Sequence, residues 1–179
     1  AGIRLGILGL GRIGKIHLEN LCTKIQGVEV IAAMNPSAEG RSFANRYNVP
    51  LVTDNALEVL HHADIDAVLI CSPTSTHADF VIEAAEESKA IFCEKPLDLS
   101  LDKVRHTLQI VKKANVPLML AFNQRMDPNF AAVKKQIETG SLGRLYSAHI
   151  ISRDPGPPPI SYIKHSGGMF MDMTIHDFD

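Results

Sequence analysis

Short apolar runs alternate with amphipathic stretches through the first two thirds of the chain. IRLGILGL (residues 3–10) is apolar on consecutive positions and reads as a buried strand, and a helical pattern follows from Arg12 to about Ile25. VEVIAAMN (28–35) is a second strand, SAEGRSFANRY (37–47) a helix closed by NVP, PLVT a short strand, and NALEVLHH a helix. IDAVLICSP (65–73) and AIFCEKP (90–96) are further buried strands, with a helix over roughly 75–88 between them. Ser100 caps LDKVRHTLQIVKKAN, and PLMLAFN (117–123) is the last strand of the series. Strands that are apolar on both faces, each followed by a helix, predict a parallel sheet covered on both sides.

The pattern changes after Asn123. DPNFAAVKKQIETGSLG is a helix with Pro128 near its start and Gly140 past its end. RLYSAHIISRD (144–154) alternates apolar and polar positions, which predicts a strand with one covered face. A Pro-rich connection leads to GGMFMDMTIHDFD (167–179). The expected organisation is therefore an α/β domain over 1–123 and the start of a second domain over 124–179, whose remainder lies outside this sequence.

Composition narrows the functional classes. Of 179 residues, 45% are hydrophobic and 21% charged, and the formal net charge is −2, so no basic footprint points to nucleic acid. No apolar run reaches membrane-spanning length. The opening AGIRLGILGLG lacks the basic region and cleavage site of a signal peptide. Cys22, Cys71 and Cys93 are an odd set without paired spacing, expected to be free, buried thiols in a reducing, cytoplasmic compartment.

GLGRIG supplies Gly9, Gly11 and Gly14 in G-x-G-x-x-G spacing, with Arg12 and Ile13 opening the helix. It follows a strand and starts a helix, as a dinucleotide fingerprint requires. Gly9 permits a tight turn, Gly11 lets a pyrophosphate approach the backbone, and Gly14 lets helix and strand pack closely. The ribose-binding acid that normally ends the second strand is Asn35 here. Asparagine hydrogen-bonds a ribose hydroxyl without repelling a 2′-phosphate, so NAD is expected and NADP is compatible. Arg41 is the nearest cation downstream. Ligands of open parallel sheets bind beyond the carboxyl ends of the strands. Two such ends stand out: CSPTSTH, with Ser72, Pro73, Thr74 and His77 where a cofactor would pass, and CEKP, with Glu94 and Lys95. Asp172 and His176 are four apart, so on a helix they share a face. That pair alone is compatible with a helical ion pair, with two of the ligands of a zinc site, or with acid–base chemistry. No third metal ligand is evident, and no metal is expected.

GLGRIGKIH, CSPTSTH, CEKP and SGGMFMDMTIHDFD together resemble the glucose–fructose oxidoreductase / inositol dehydrogenase (Gfo/Idh/MocA) family over essentially the whole chain. SRDPGPPPISYIKHSGG and DMTIHDFD are similar, more narrowly, to its bacterial inositol 2-dehydrogenase branch. The resemblance implies an N-terminal Rossmann domain, a C-terminal α+β domain with an open, mainly antiparallel sheet, and a homotetramer. It implies oxidation of a polyol CH–OH, myo-inositol, to the ketone with NAD. Lys95 would hold the substrate hydroxyl and stabilise alkoxide charge. His176 would take the hydroxyl proton, a task suited to a group whose unperturbed pKa is about 6.5. Asp172 would orient the imidazole. Arg125, with Asn123, and further out Asp154 and Tyr162, would contact the polyol. His176 and Lys95 are then expected to meet in one cleft between the domains. Two alternatives stand beside this reading: another sugar or polyol oxidoreductase of the family, and a cofactor-sensing regulator, against which the joint retention of Lys95, Asp172 and His176 argues.

Overall fold

The computed structural model describes residues 2–153, 155–163 and 166–179. The chain divides into two compact units, Ala1–Leu120 and Ala121–Asp179. The first holds a six-stranded sheet: β1 (Ile3–Leu8), β2 (Val28–Met34), β3 (Leu51–Thr53), β4 (Ala67–Ile70), β5 (Ala90–Cys93) and β6 (Leu118–Leu120). The spatial order is β3-β2-β1-β4-β5-β6, and every pairing is parallel. The helices α1 (Arg12–Thr23), α2 (Ala38–Asn45), α3 (Ala56–Leu60), α4 (Thr74–Glu86) and α5 (Leu101–Ala114) connect them.

The consecutive apolar runs are explained by burial on both faces. Along β4, Val68 and Ile70 pack into one core with Leu8, Val81 and Ile91, while Leu69 and the following Cys71 pack into the other with Ile7, Leu10 and Leu18. Local signals set the helix ends. Ser37 accepts from the Gly40 amide, Asn55 from Leu57, and Ser100 from Lys103, each meeting an otherwise orphan N–H. Asn115 ends α5 in the left-handed conformation, φ 56°.

The amino edge of the sheet is tied by charge. Arg4 donates through Nε and both terminal nitrogens to Asp66 and Asp64, at 2.8–3.2 Å. Asp66 also accepts from the Arg4 amide at 2.8 Å. Nearby, the buried Lys89 ammonium donates to the carbonyls of His62 (2.8 Å) and Ile65 (3.0 Å). Desolvation pushes the Lys89 amine below the usual lysine range.

In the second unit a 3₁₀ turn, Asn123–Met126, precedes α6 (Pro128–Glu138). Asp127 caps α6, accepting from the amides of Asn129 (2.8 Å) and Phe130 (3.3 Å). α7 is the short Ile160–Ile163, and a π-helical segment, Phe170–Thr174, runs into α8 (Ile175–Phe178). Two expectations are corrected here. The sheet of the described residues is parallel throughout, which overturns the expected open, mainly antiparallel sheet. The alternating stretch 144–153 forms no strand. A strand exists through its hydrogen-bonded ladder, and the other described segments of this unit are helices, turns and irregular chain that offer it none. In the closing segment Asp172 falls in the π-helical turn and His176 in α8.

Candidate functional site

β1 and β4 are neighbours whose connections depart in opposite directions, which opens a crevice at their carboxyl ends. Gly9 follows β1 at φ +94°, a conformation that side chains other than glycine's rarely adopt. A Cβ there would lie 2.6 Å from the Ser72 backbone after β4, so glycine lets the two strand ends touch. A Cβ on Gly14 would lie 2.0 Å from the Gly9 carbonyl oxygen, which is why the first turn of α1 can sit on the loop. Gly11 differs: a Cβ there would meet nothing within 4 Å. The space above it is open, and Gly11 caps α1 without a side-chain hydrogen bond, with no acidic residue in the first turn. Unpaired amides, the positive helix end and no competing carboxylate make this a cradle for a phosphate group. Arg12 is exposed beside it and Ile13 half-buried. These residues fit the pyrophosphate of a dinucleotide.

Asn35 has a use the sequence did not reveal. Its Oδ1 accepts from the Leu10 amide at 2.8 Å, and its Nδ2 donates to Ser37 Oγ at 2.8 Å. Its side chain also fills the space beside Gly40, where a Cβ would come within 2.2 Å of Nδ2. The residue that follows β2 thus fastens the glycine loop to the start of α2. Arg41 folds back onto the Asn35 (2.9 Å) and Pro36 (2.7 Å) carbonyls, with Asp54 at 3.7 Å. The glycine inside α2 was a sequence signal for this close approach, since glycine disfavours a helix interior.

At the end of β4, Thr76 Oγ1 donates to the Pro73 carbonyl (2.8 Å), so the Ser72 hydroxyl donates to Thr76 at 2.6 Å. Pro73 and Thr74 begin α4. His77 is buried, 2% exposed, rather than lying open to a ligand. Its Nδ1 faces the Pro96 carbonyl at 2.8 Å and its Nε2 the Ser72 carbonyl at 2.7 Å. At the end of β5, Glu94 Oε1 accepts from His17 Nε2 at 2.9 Å, and Lys95 follows, half-buried, before Pro96. The pairing of His17 with Glu94 spans 77 residues, and only the place of His17 three residues after Gly14 hinted at it.

Within the second unit, Tyr162 Oη donates to Asp172 Oδ1 at 2.8 Å. The His176 ring meets Phe122 edge-on, 6.2 Å between centroids. Arg125 stacks over Phe122 and pairs in a fork with Asp179, Nε to Oδ2 at 2.7 Å. That fork holds the Asp179 carboxyl below the usual carboxylate range. Asn123 is exposed at the start of the 3₁₀ turn. Asp154 lies outside the described residues. The buried thiols of Cys71 and Cys93 are pushed up by desolvation, as expected of inert core cysteines, whereas Cys22 is exposed, against expectation. It lies in the last turn of α1, outside the core. Among the described residues no three of His, Cys, Asp and Glu gather into a metal-binding group, and no helix is long and apolar enough to cross a membrane.

A doubly wound parallel sheet with a glycine cradle at its switch point defines the first unit as a dinucleotide-binding Rossmann domain. Residues 3–122 match the model of an oxidoreductase family with an NAD-binding Rossmann fold, GFO/IDH/MocA, and residues 130–179 match a GFO/IDH/MocA C-terminal domain. An inositol 2-dehydrogenase of Rhizobium meliloti is 47% identical over 177 residues, covering 99% of this chain and 53% of that protein. A myo-inositol 2-dehydrogenase of Thermotoga maritima is 44% identical over 179 residues, covering 99% and 53%. The crystal structure of scyllo-inositol dehydrogenase from Lactobacillus casei, with bound NAD(H) and scyllo-inositol, superposes with a TM-score of 0.88 at 34% identity, over 99% of this chain and 54% of that one. The chain belongs to the GFO/IDH/MocA oxidoreductase family, and it spans about half the length of the curated relatives it matches.

Proposed function

We propose that the protein oxidises a ring CH–OH of an inositol, myo-inositol first among the candidates, to the ketone, with NAD as the hydride acceptor. The observation that carries this reading is the cradle at Gly9, Gly11 and Gly14, in a chain whose close relatives are named inositol dehydrogenases. Residues 1–123 would hold the cofactor, and 124–179 would begin the part that meets the substrate. Bound NAD supplies a two-electron acceptor for the hydride that leaves the carbinol carbon. The remaining work falls to the chain. The α1 amides and the backbone at Gly11 hold the pyrophosphate, with Ser72, Pro73 and Thr74 along its path. His176 takes the hydroxyl proton, Asp172 orients the His176 ring, and the Lys95 ammonium lowers the energy of the developing alkoxide. Asn123, Arg125, Tyr162 and Asp154 are assigned to polyol hydroxyls. Asn35 carries no charge to repel a 2′-phosphate, so NAD is preferred and NADP tolerated. We assign the full-length protein to the cytoplasm as a homotetramer, following its family.

The test is His176→Ala in the full-length protein. kcat with myo-inositol should fall by roughly 10²–10⁴-fold, the usual worth of a positioned general base. NAD affinity, measured by fluorescence titration, should stay near that of the parent. Near-normal turnover by this variant would overturn the assignment. A panel of inositol isomers and sugars, run with both cofactors, separates inositol from another polyol.

A further inference from the structure

We propose that His17 and His77 act as a two-sided clamp on the Glu94–Lys95–Pro96 turn, making both positioning residues for the Lys95 ammonium. The inference deepens the function proposed above and rests on Lys95 serving the reaction. The two histidines come from different helices, α1 and α4, and reach the residues on either side of Lys95. His17 Nε2 donates to Glu94 Oε1 at 2.9 Å, and its ring stands edge-on to Phe92 of β5, 5.5 Å between centroids. His77 Nδ1 faces the Pro96 carbonyl at 2.8 Å, and its Nε2 faces the Ser72 carbonyl at 2.7 Å. Carbonyl and carboxylate oxygens only accept, so the bond to Glu94 uses the His17 Nε2–H, and the single N–H of a neutral His77 ring serves one of its two facing carbonyls.

Packing alone does not explain the pair. Apolar residues fill interior space without leaving polar atoms to be satisfied, whereas a buried polar group costs stability unless it is hydrogen-bonded. His77 is 2% exposed, and the side chains of His17 and Glu94 are 25% and 16% exposed. Both interactions therefore lie mostly out of water, where their geometry is held firmly. Lysine places its charge on a flexible four-carbon stem, so the precision of its ammonium depends on how well its base is fixed. The Glu94 amide already bonds to the Ile70 carbonyl at 2.9 Å, which ties the front of the turn to β4. The histidines add a side-chain tether before Lys95 and a carbonyl tether after it. His77 also packs between this turn and the one after β4, with a carbonyl of each facing its ring.

The experiment compares His17→Phe, His17→Gln and His77→Phe with the parent, full-length protein. Two quantities are read: kcat with myo-inositol, and the rate of Lys95 acetylation by acetic anhydride, followed by mass spectrometry. Phenylalanine keeps a ring against Phe92 but loses the donor, while glutamine restores an N–H. His17→Phe should lower kcat by roughly 10–100-fold, the scale of a misplacement of about 1 Å. It should change the Lys95 acetylation rate by at least about threefold and leave NAD affinity within about twofold, because the clamp fixes the lysine and not the cradle. His17→Gln should recover most of both quantities, and His77→Phe should shift both in the same direction as His17→Phe. If His17→Phe does not fold, Glu94→Leu removes the same bond from the other side and should give the same changes. Unchanged acetylation and kcat in His17→Phe, or in Glu94→Leu, overturn the clamp. Lys95→Ala separates the two claims: full turnover in that variant defeats the assigned role of Lys95, while Lys95 acetylation in the histidine variants still reports whether the histidines fix its position.

Discussion

At the scale of single residues, the three fingerprint glycines serve different ends, and substitution should separate them. Gly11→Ala meets no atom within 4 Å, so the variant should fold with a melting temperature near that of the parent. Its methyl would occupy the space a pyrophosphate needs, and NAD affinity should fall by at least about tenfold in a fluorescence titration. Gly14→Ala drives a methyl to 2.0 Å from the Gly9 carbonyl, so it should lose both stability, by about 1–3 kcal/mol or more in urea unfolding, and NAD binding. Asn35 makes a third case. Aspartate can still accept from the Leu10 amide, and the Ser37 hydroxyl can turn to donate to it, so Asn35→Asp should fold. Its added charge should sharpen the preference for NAD. If the parent already rejects NADP as strongly in kcat/KM, Asn35 is not what permits the larger cofactor. The cradle was legible in the sequence because fingerprint, strand and helix are contiguous there. The fastening role of Asn35 was not, because it depends on an amide 25 residues away.

Elements show the same divide. The strands of the first unit were readable from apolar runs, since a buried parallel strand needs apolar residues on both faces. The segment 144–153 misled because alternation describes a covered face but supplies no ladder partner. The π winding at Phe170–Thr174 was equally hidden, because apolar spacing near four residues suits either kind of turn. Lys89 reads as an ordinary charge after a helix, yet its ammonium donates to the Ile65 carbonyl and to the His62 carbonyl, which also accepts from the Ile65 amide, where α3 leads into β4. Lys89→Met keeps the stem and removes the donors. It should cost about 1–3 kcal/mol in urea unfolding, the penalty for leaving the Ile65 carbonyl without this donor, with NAD affinity unchanged. A variant as stable as the parent would show that another donor reaches that carbonyl.

For the molecule as a whole, the amino edge of the sheet offers a test of pH dependence. Hydrogen bonds from the Arg4 side chain, and then from its amide, hold the Asp66 carboxyl below its ordinary range. A depressed carboxylate contributes stability that is complete above its unfolded pKa of about 3.9 and is lost as pH falls through the lower folded value. Asp66→Asn should therefore be less stable than the parent at pH 7, and the gap in urea midpoint should narrow when both are unfolded below about pH 3. A gap independent of pH would assign the contact to packing. Arg4, Asp66 and Lys89 sit at one edge of the sheet and the glycine cradle at the opposite one, so the protein has two territories that can be altered separately. Innovation at the carboxyl edge, such as acceptance of a new polyol or cofactor, tends to sacrifice robustness. In directed evolution, compensating changes can be sought at the amino edge, a strand's length away, where they restore tolerance to further mutation without disturbing the chemistry being reshaped.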